Sequence, residues 1–260
     1  MKLFLRIAYL GTAYNGYQVQ GEQPTVQREL TRACTELFGT RCDIVGCSRT
    51  DSGVHANMFC VTVSKRGTDL LETTIPSNRI PMALNAHLPE DISVYDAMFV
   101  KEEFHPRYDV KYKEYVYRIY NSPCRNPFER DRAWFYPRMI DQTALENMKL
   151  AAQHFCGTHD FSSFMAQGAT VAHAVRTVTH ASVERVGDVI EFHVAADGFL
   201  YNMVRIMTGT LIAVAEGKIF PDQIPEIIAA KDRSAAGMTA PAHGLYLHCV
   251  TYENIPEEIL

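Results

Sequence analysis

In the stretch GCSRTDSGVHA, residues 46 to 56, an arginine (Arg49) and an aspartate (Asp51) stand two apart, beside small hydroxyl residues, a glycine and a histidine. In an extended segment residues two apart face the same side, so Arg49 and Asp51 project together. A cation beside a carboxylate lowers its pKa and keeps it ionised. That is the state a nucleophile or a general base must hold. A solvated ion pair capping a turn would show the same two residues, so the pair by itself decides nothing. Its setting adds weight: the apolar segments CDIVG and MFCVTVS flank the loop, and loops held by a rigid scaffold are where chemistry tends to sit.

Three further groups carry chemical potential. The segment FLYNMVRIMTGTLIAVAE, residues 199 to 216, is apolar around nearly its whole circumference, which predicts a buried helix with Arg205 in its middle. A buried guanidinium stays protonated and must find an anion. Asp197 is the near candidate in sequence and Asp51 the distant one. In the strand KYKEYVYRIYN, Lys113, Tyr115, Tyr117 and Ile119 share one face. Tyrosines suit a half-buried strand, and tyrosines interleaved with cations also describe a stacking platform beside a phosphate-binding face. His154, Cys156 and His159 have a spacing open to metal, yet no second ligand pair lies at finger-like spacing, so no metal is expected. No phosphate-cradling glycine loop or dinucleotide fingerprint is present.

The elements that must position these groups follow from periodicity. Residues 2 to 10 alternate, with Leu3, Leu5, Ile7 and Tyr9 on one face, and predict a strand. PTVQRELTRACTELFG predicts a helix begun by Pro24 and Thr25 and ended by Gly39. Strands near residues 42 to 45 and 58 to 63, a helix near 79 to 87 and a strand near 92 to 100 complete the order of a ferredoxin-like split unit. The second half repeats the theme: a strand over 110 to 121, a helix over 141 to 155, paired strands over 175 to 196, the helix over 199 to 216 and a closing strand over 244 to 253. The pattern predicts two α+β units with antiparallel sheets, residues 1–105 and 106–260. One continuous sheet across both fits the same pattern.

The chain of 260 residues, 47% hydrophobic, suffices for one large or two smaller cores. It has no apolar run of membrane-spanning length, and its start is too short and too alternating for a secretory signal. Seven cysteines without repeating spacing predict reduced thiols in a cytosolic protein rather than a disulfide framework. The net charge of -5 argues mildly against a nucleic-acid partner. Yet Lys101 to Arg138 holds nine basic and six acidic residues, a local +3 that leaves -8 for the remainder. A local basic face can steer a polyanion.

SRTDSGVHA resembles the RTDAGVHA signature of the TruA-type tRNA pseudouridine synthases. FHPRYDVKYKEYVYRIYN, HDFSSF, VRTV, GFLYNMVRIMTGTL and APAHGLYLHCVTY resemble further segments of that family in the same order, covering essentially the whole chain. Ser52 stands where alanine is usual and Cys47 where a small residue is common; neither change removes a functional group. The resemblance implies an α+β pseudouridine synthase core that isomerises uridine to pseudouridine at positions 38–40 of the tRNA anticodon stem-loop. It implies Asp51 as the essential aspartate, Arg205 as the cation that pairs with it, and Arg49 as the arginine that displaces the target base. By the same resemblance Tyr115 stacks on the flipped uracil and Leu245 lies under it. Phe104, His105, Pro106, Arg107 and Tyr108, with Gln167 and Gly168, match RNA-contacting regions. The family works as a cytoplasmic homodimer on tRNA without a cofactor.

The chemistry agrees with those expectations. Breaking a C–N glycosidic bond, turning the base and rejoining it through C5 needs no redox step or group donor, but the base must leave its stack and be kept from water. An RNA-binding module without catalysis would not need Asp51, Tyr115 and Arg205 together. An aspartyl phosphohydrolase would need a second acidic cluster for magnesium, and none is arranged for it.

Overall fold

In this computed structural model the first alternating segment forms β1 (Lys2–Tyr9), followed by α1 (Val26–Phe38), β2 (Cys42–Gly46), β3 (His55–Lys65), α2 (Ile80–Asn85) and β4 (Ile92–Val100). The structure describes residues 1–168, 173–253 and 255. The second half supplies β5 (Val110–Tyr120), the short β6 (Trp134–Phe135), α3 (Gln142–Gln153), β7 (Gly157–Asp160), β8 (Val175–Val186), β9 (Val189–Ala196), α4 (Met203–Ala215), α5 (Ile224–Ala230) and β10 (Leu245–Tyr252). The chain forms two compact units. One comprises residues 1–111 and 247–260, the other residues 112–246.

In the first unit β4, β1 and β3 lie side by side, all antiparallel, with β2 on the far edge of β3. That 4-1-3-2 order is what a split strand–helix–strand unit makes when its two halves interleave. Helix α1 begins where the Thr25 side chain accepts the Arg28 N–H and ends on Gly39, whose φ of 63° makes the left-handed cap. Its Val26, Leu30, Ala33 and Cys34 are buried, as are Leu3, Leu5 and Ile7. The opposite face of β1 is not solvated either. Phe4 meets Phe104 and Tyr252 edge-on, at 5.6 and 5.7 Å between ring centroids, and the Arg6 guanidinium lies 3.0 Å from Asp96.

In the second unit the antiparallel order is β5-β9-β8-β7, with β6 running parallel to the end of β5. Helices α3 and α4 pack together, and α3 also packs on β8. Asp141 caps α3 by accepting the Ala144 N–H. The expected helix over 199 to 216 begins only at Met203, because Asn202 takes a left-handed φ of 60°. Arg205 therefore sits in the first turn of α4 and is half-buried, not deep in the middle of a buried helix. Among the described residues no helix is long and apolar enough to cross a membrane, and all seven cysteines carry free thiols.

The polar face of the second sheet holds a group that sequence periodicity does not reveal. His193 on β9 places Nδ1 3.1 Å from the Glu114 carboxylate and Nε2 3.5 Å from both Glu184 and Glu191. The hydrogen bond that His193 donates to the Glu114 carboxylate is the largest cause that raises the His193 pKa above its usual value. A raised folded-state pKa means stability that is complete below the unfolded value, about 6.5, and lost as pH climbs through the higher folded value. The thermal midpoint should accordingly drop as pH rises above about 6.5, and His193→Gln should remove that part of the drop. Melting curves of both proteins across this range check it; equal slopes would assign the drop to other groups.

Candidate active site

The loop between β2 and β3 is tied down along its length. Thr50 is 8% exposed; its hydroxyl lies 2.8 Å from that of Tyr9, and its carbonyl accepts the Tyr17 N–H. The Asp51 carbonyl accepts from the Val54 N–H, while Gly53 N–H and the Ser52 hydroxyl both donate to the Tyr14 carbonyl. The buried His55 accepts the Gly11 N–H at Nδ1, 2.9 Å away. Close approach explains the glycines opposite. A Cβ on Gly11 would fall 2.0 Å from the Val54 carbonyl oxygen, and one on Gly16, at φ +77°, would fall 2.4 Å from that of Thr50. Asp51 is half-buried, and Arg49, two residues earlier, is exposed. The loop thus presents a half-buried carboxylate on a tied backbone and an exposed cation two residues away, an arrangement suited to nucleophilic or general-base work.

In the second unit Arg205 is fixed by its own helix start. Its Nε donates to the Ala240 carbonyl at 2.7 Å and its NH1 group to the Asn202 side-chain oxygen at 2.7 Å. The Ala240 N–H returns a bond to the Arg205 carbonyl. Asp197 is used elsewhere, accepting the Thr177 N–H. The segment that holds Arg205 continues over β5: Tyr117 donates to the Pro241 carbonyl, and a Cβ on Gly244 would fall 2.7 Å from the Tyr117 ring. Leu245 follows at once, 7% exposed. Burial, followed by the charge of Arg205, lowers the His243 pKa against the opposing pull of Asp131. Tyr115 lies two residues before Tyr117, buried, with its ring at 80° to Phe199 and 4.9 Å away. Tyr115, Arg205 and Leu245 thus belong to one framework built on β5, the start of α4 and residues 240–245, and it also includes Phe199 and Ala240, which the sequence reading gave no role of their own.

The segment from Phe104 to Tyr108 divides. Phe104 packs on Phe4 and Tyr252, and the buried Pro106 carbonyl accepts the Tyr252 hydroxyl; both anchor the first unit. His105 stacks on Tyr108 at 4.2 Å, and its Nδ1 accepts the Arg107 and Tyr108 N–H groups. Arg107 and Tyr108 remain exposed. Gln167 and Gly168 are exposed in a turn. His159 points Nε2 at the Cys156 carbonyl, and His154 lies 3.8 Å from Asp222. Among the described residues one group, Glu184, Glu191 and His193, brings three ligand atoms within 4.8 Å of one another. There Arg118 already faces Glu191, at 3.1 Å.

The family model described as tRNA pseudouridine synthase matches residues 6–109 and 151–253. The chain belongs to the tRNA pseudouridine synthase family. Curated relatives named tRNA pseudouridine synthase A agree: that of Acetivibrio thermocellus is 44% identical over 248 residues, 95% of this chain and 98% of its own. That of Thermoanaerobacter sp. is 43% identical over 248 residues, 95% and 97%, and that of Bacillus subtilis 42% identical over 256 residues, 98% and 100%. As a tRNA pseudouridine synthase the protein is an isomerase that converts uridine to pseudouridine. The matched segments include Asp51, Arg205, Leu245, residues 104–108 and residues 167–168, while Tyr115 lies between them.

Proposed function

We propose that this synthase isomerises uridines at positions 38–40 of the tRNA anticodon stem-loop, with Asp51 as the essential catalytic group. The observation that carries the reading is the anchoring of the Asp51 loop: bonds to Tyr9, Gly11, Tyr14 and Tyr17 hold the backbone around one half-buried carboxylate. Such fixing is worthwhile for a group that must meet a reacting atom. Two routes suit it. Asp51 either attacks C1′ of the ribose or removes a proton at C2′. In both the C1′–N1 bond breaks, the uracil turns and C5 bonds to C1′. That step expels Asp51 from C1′ on the first route and is joined by return of the C2′ proton on the second. The C5 proton is lost while N1 gains one, so the atoms balance without a co-reactant.

The remaining roles follow the demands of that chemistry. Arg49, exposed beside the carboxylate, fills the gap left by the flipped base. Tyr115 stacks on the uracil, Leu245 closes its apolar side against water, and Arg205 meets negative charge at the reacting centre. His105, Arg107, Tyr108, Gln167 and Gly168 contact tRNA; Phe104 and Pro106 support that surface from behind. A chain of net charge -5 with a local basic excess over Lys101–Arg138 gains a longer phosphate-binding face as a two-fold dimer. The homodimer works in the cytoplasm.

Tyr115 tests the stacking role. Tyr115→Phe keeps the ring and should bind tRNA as wild type does. Tyr115→Ala should lose about 1–3 kcal/mol of binding, the worth of one base stacked on an aromatic ring. Affinities measured at one fixed salt concentration decide it, and equal binding by the two variants would reduce Tyr115 to sheet core.

A further inference from the structure

We propose that the paired hydroxyls of Tyr9 and Thr50 are a positioning device for Asp51, an inference that rests on Asp51 being the catalytic group. Thr50 immediately precedes Asp51, and its hydroxyl lies 2.8 Å from that of Tyr9, the last residue of β1. On the other flank, His55 accepts the N–H of Gly11, two residues beyond Tyr9. Both ends of the loop are thus tied to the exit of a single strand. A purely local turn would have satisfied these groups within itself; here partners 41 and 44 residues away do so.

The strand register shows how this arises. From Leu3 to Ile7, β1 pairs with Val63 to Phe59, but Tyr9 pairs with Ala56. Three residues of β3 are spanned against two of β1, so β3 carries one extra residue between Ala56 and Phe59. A bulge of this kind re-aims side chains and shifts the phase of everything beyond it. Without it the loop would be displaced by one residue relative to β1, and a one-residue slip turns each side chain to the other face. The extra residue therefore brings His55 to Gly11 and Thr50 to Tyr9, and these contacts fix the backbone that carries the Asp51 side chain.

A merely structural pair would do no more than satisfy two buried hydroxyls, and its loss would lower the melting point without a specific effect on rate. Positioning predicts a different pattern. Tyr9→Phe and Thr50→Val should each lower kcat about tenfold to a hundredfold, the scale of a small misplacement of a reacting group. KM and tRNA affinity should stay within about twofold. The double variant should be no slower than the slower single one, since both changes remove the same contact. Thr50→Ser, which keeps the hydroxyl, should recover most of the rate. Single-turnover rates at saturating tRNA, normalised to the active fraction counted by tRNA-binding stoichiometry, read this independently of any loss of folded protein. Single variants with kcat within about twofold of wild type, losses confined to KM, or Thr50→Ser as slow as Thr50→Val would each overturn the proposal. Asp51→Asn assayed alongside separates the two claims. If it turns over normally, the catalytic reading fails and takes this one with it; if it is inactive while Tyr9→Phe and Thr50→Val are fast, only the positioning role fails.

Discussion

Asp51→Asn should bind tRNA as tightly as the wild type and convert uridine about 10³–10⁴-fold more slowly. The amide has nearly the size of the carboxylate, and the backbone bonds that hold the loop involve Thr50, Gly53, Val54 and the Asp51 carbonyl, none of which the substitution touches. What disappears is the negative charge and with it both routes open to the carboxylate, attack at C1′ and proton removal at C2′. Affinity should hold because phosphate contacts position an RNA on its protein, and those are proposed for His105, Arg107, Tyr108, Gln167 and Gly168, which the substitution leaves unchanged. The comparison needs rates at saturating tRNA and a binding curve at the same salt concentration. Turnover within about tenfold of wild type would remove Asp51 from the chemistry.

Gly16→Ala should disable the enzyme from outside its chemistry. Gly16 has φ +77°, where a side chain is strained, and a Cβ there would fall 2.4 Å from the Thr50 carbonyl oxygen, a backbone atom that cannot swing aside. Either the Asp51 loop or the Gly16 turn must move. A loss of about 2–4 kcal/mol in stability is expected from strain and overlap together, with a fall in kcat of about a hundredfold from the displaced carboxylate. Gly21→Ala is the control in the same connection: its φ is +55°, but no heavy atom lies within 4 Å of the added carbon. It should cost about 1 kcal/mol and leave turnover intact. Denaturation midpoints and rates for the pair check both statements. Equal effects would mean that the backbone conformation, and not contact with the Asp51 loop, governs the result.

Much of the scaffold is written in short-range pattern. The alternation of Leu3, Leu5 and Ile7, the Thr25 and Gly39 caps of α1 and the pairing of strands over 175 to 196 all involve residues close in sequence, and all were legible. So was the polar loop with Arg49 and Asp51. What escaped was contact at long range. Periodicity gives no hint that Phe4 meets Tyr252, that Tyr9 meets Thr50, or that Gly11 meets His55. The bulge in β3 was hidden because one extra residue leaves the apolar run MFCVTVS intact. The start of α4 was misplaced because Phe199 to Asn202 suit a helix in composition, and only the left-handed Asn202 stops it. Phe104, expected from the resemblance to contact RNA, is half-buried against Phe4 and Tyr252, since aromatic residues serve a core and a stacking surface equally well.

An enzyme that makes pseudouridine in the anticodon stem-loop through Asp51 leaves a modification map that depends on that residue. Mapping pseudouridine along tRNA from cells that lack the protein, and from the same cells supplied with wild type or Asp51→Asn, tests this dependence most directly. Positions 38–40 should lose the modification without the protein, the wild type should restore it, and Asp51→Asn, present at equal level, should not. Modification persisting at those positions without the protein, or restored there by Asp51→Asn, would contradict that dependence.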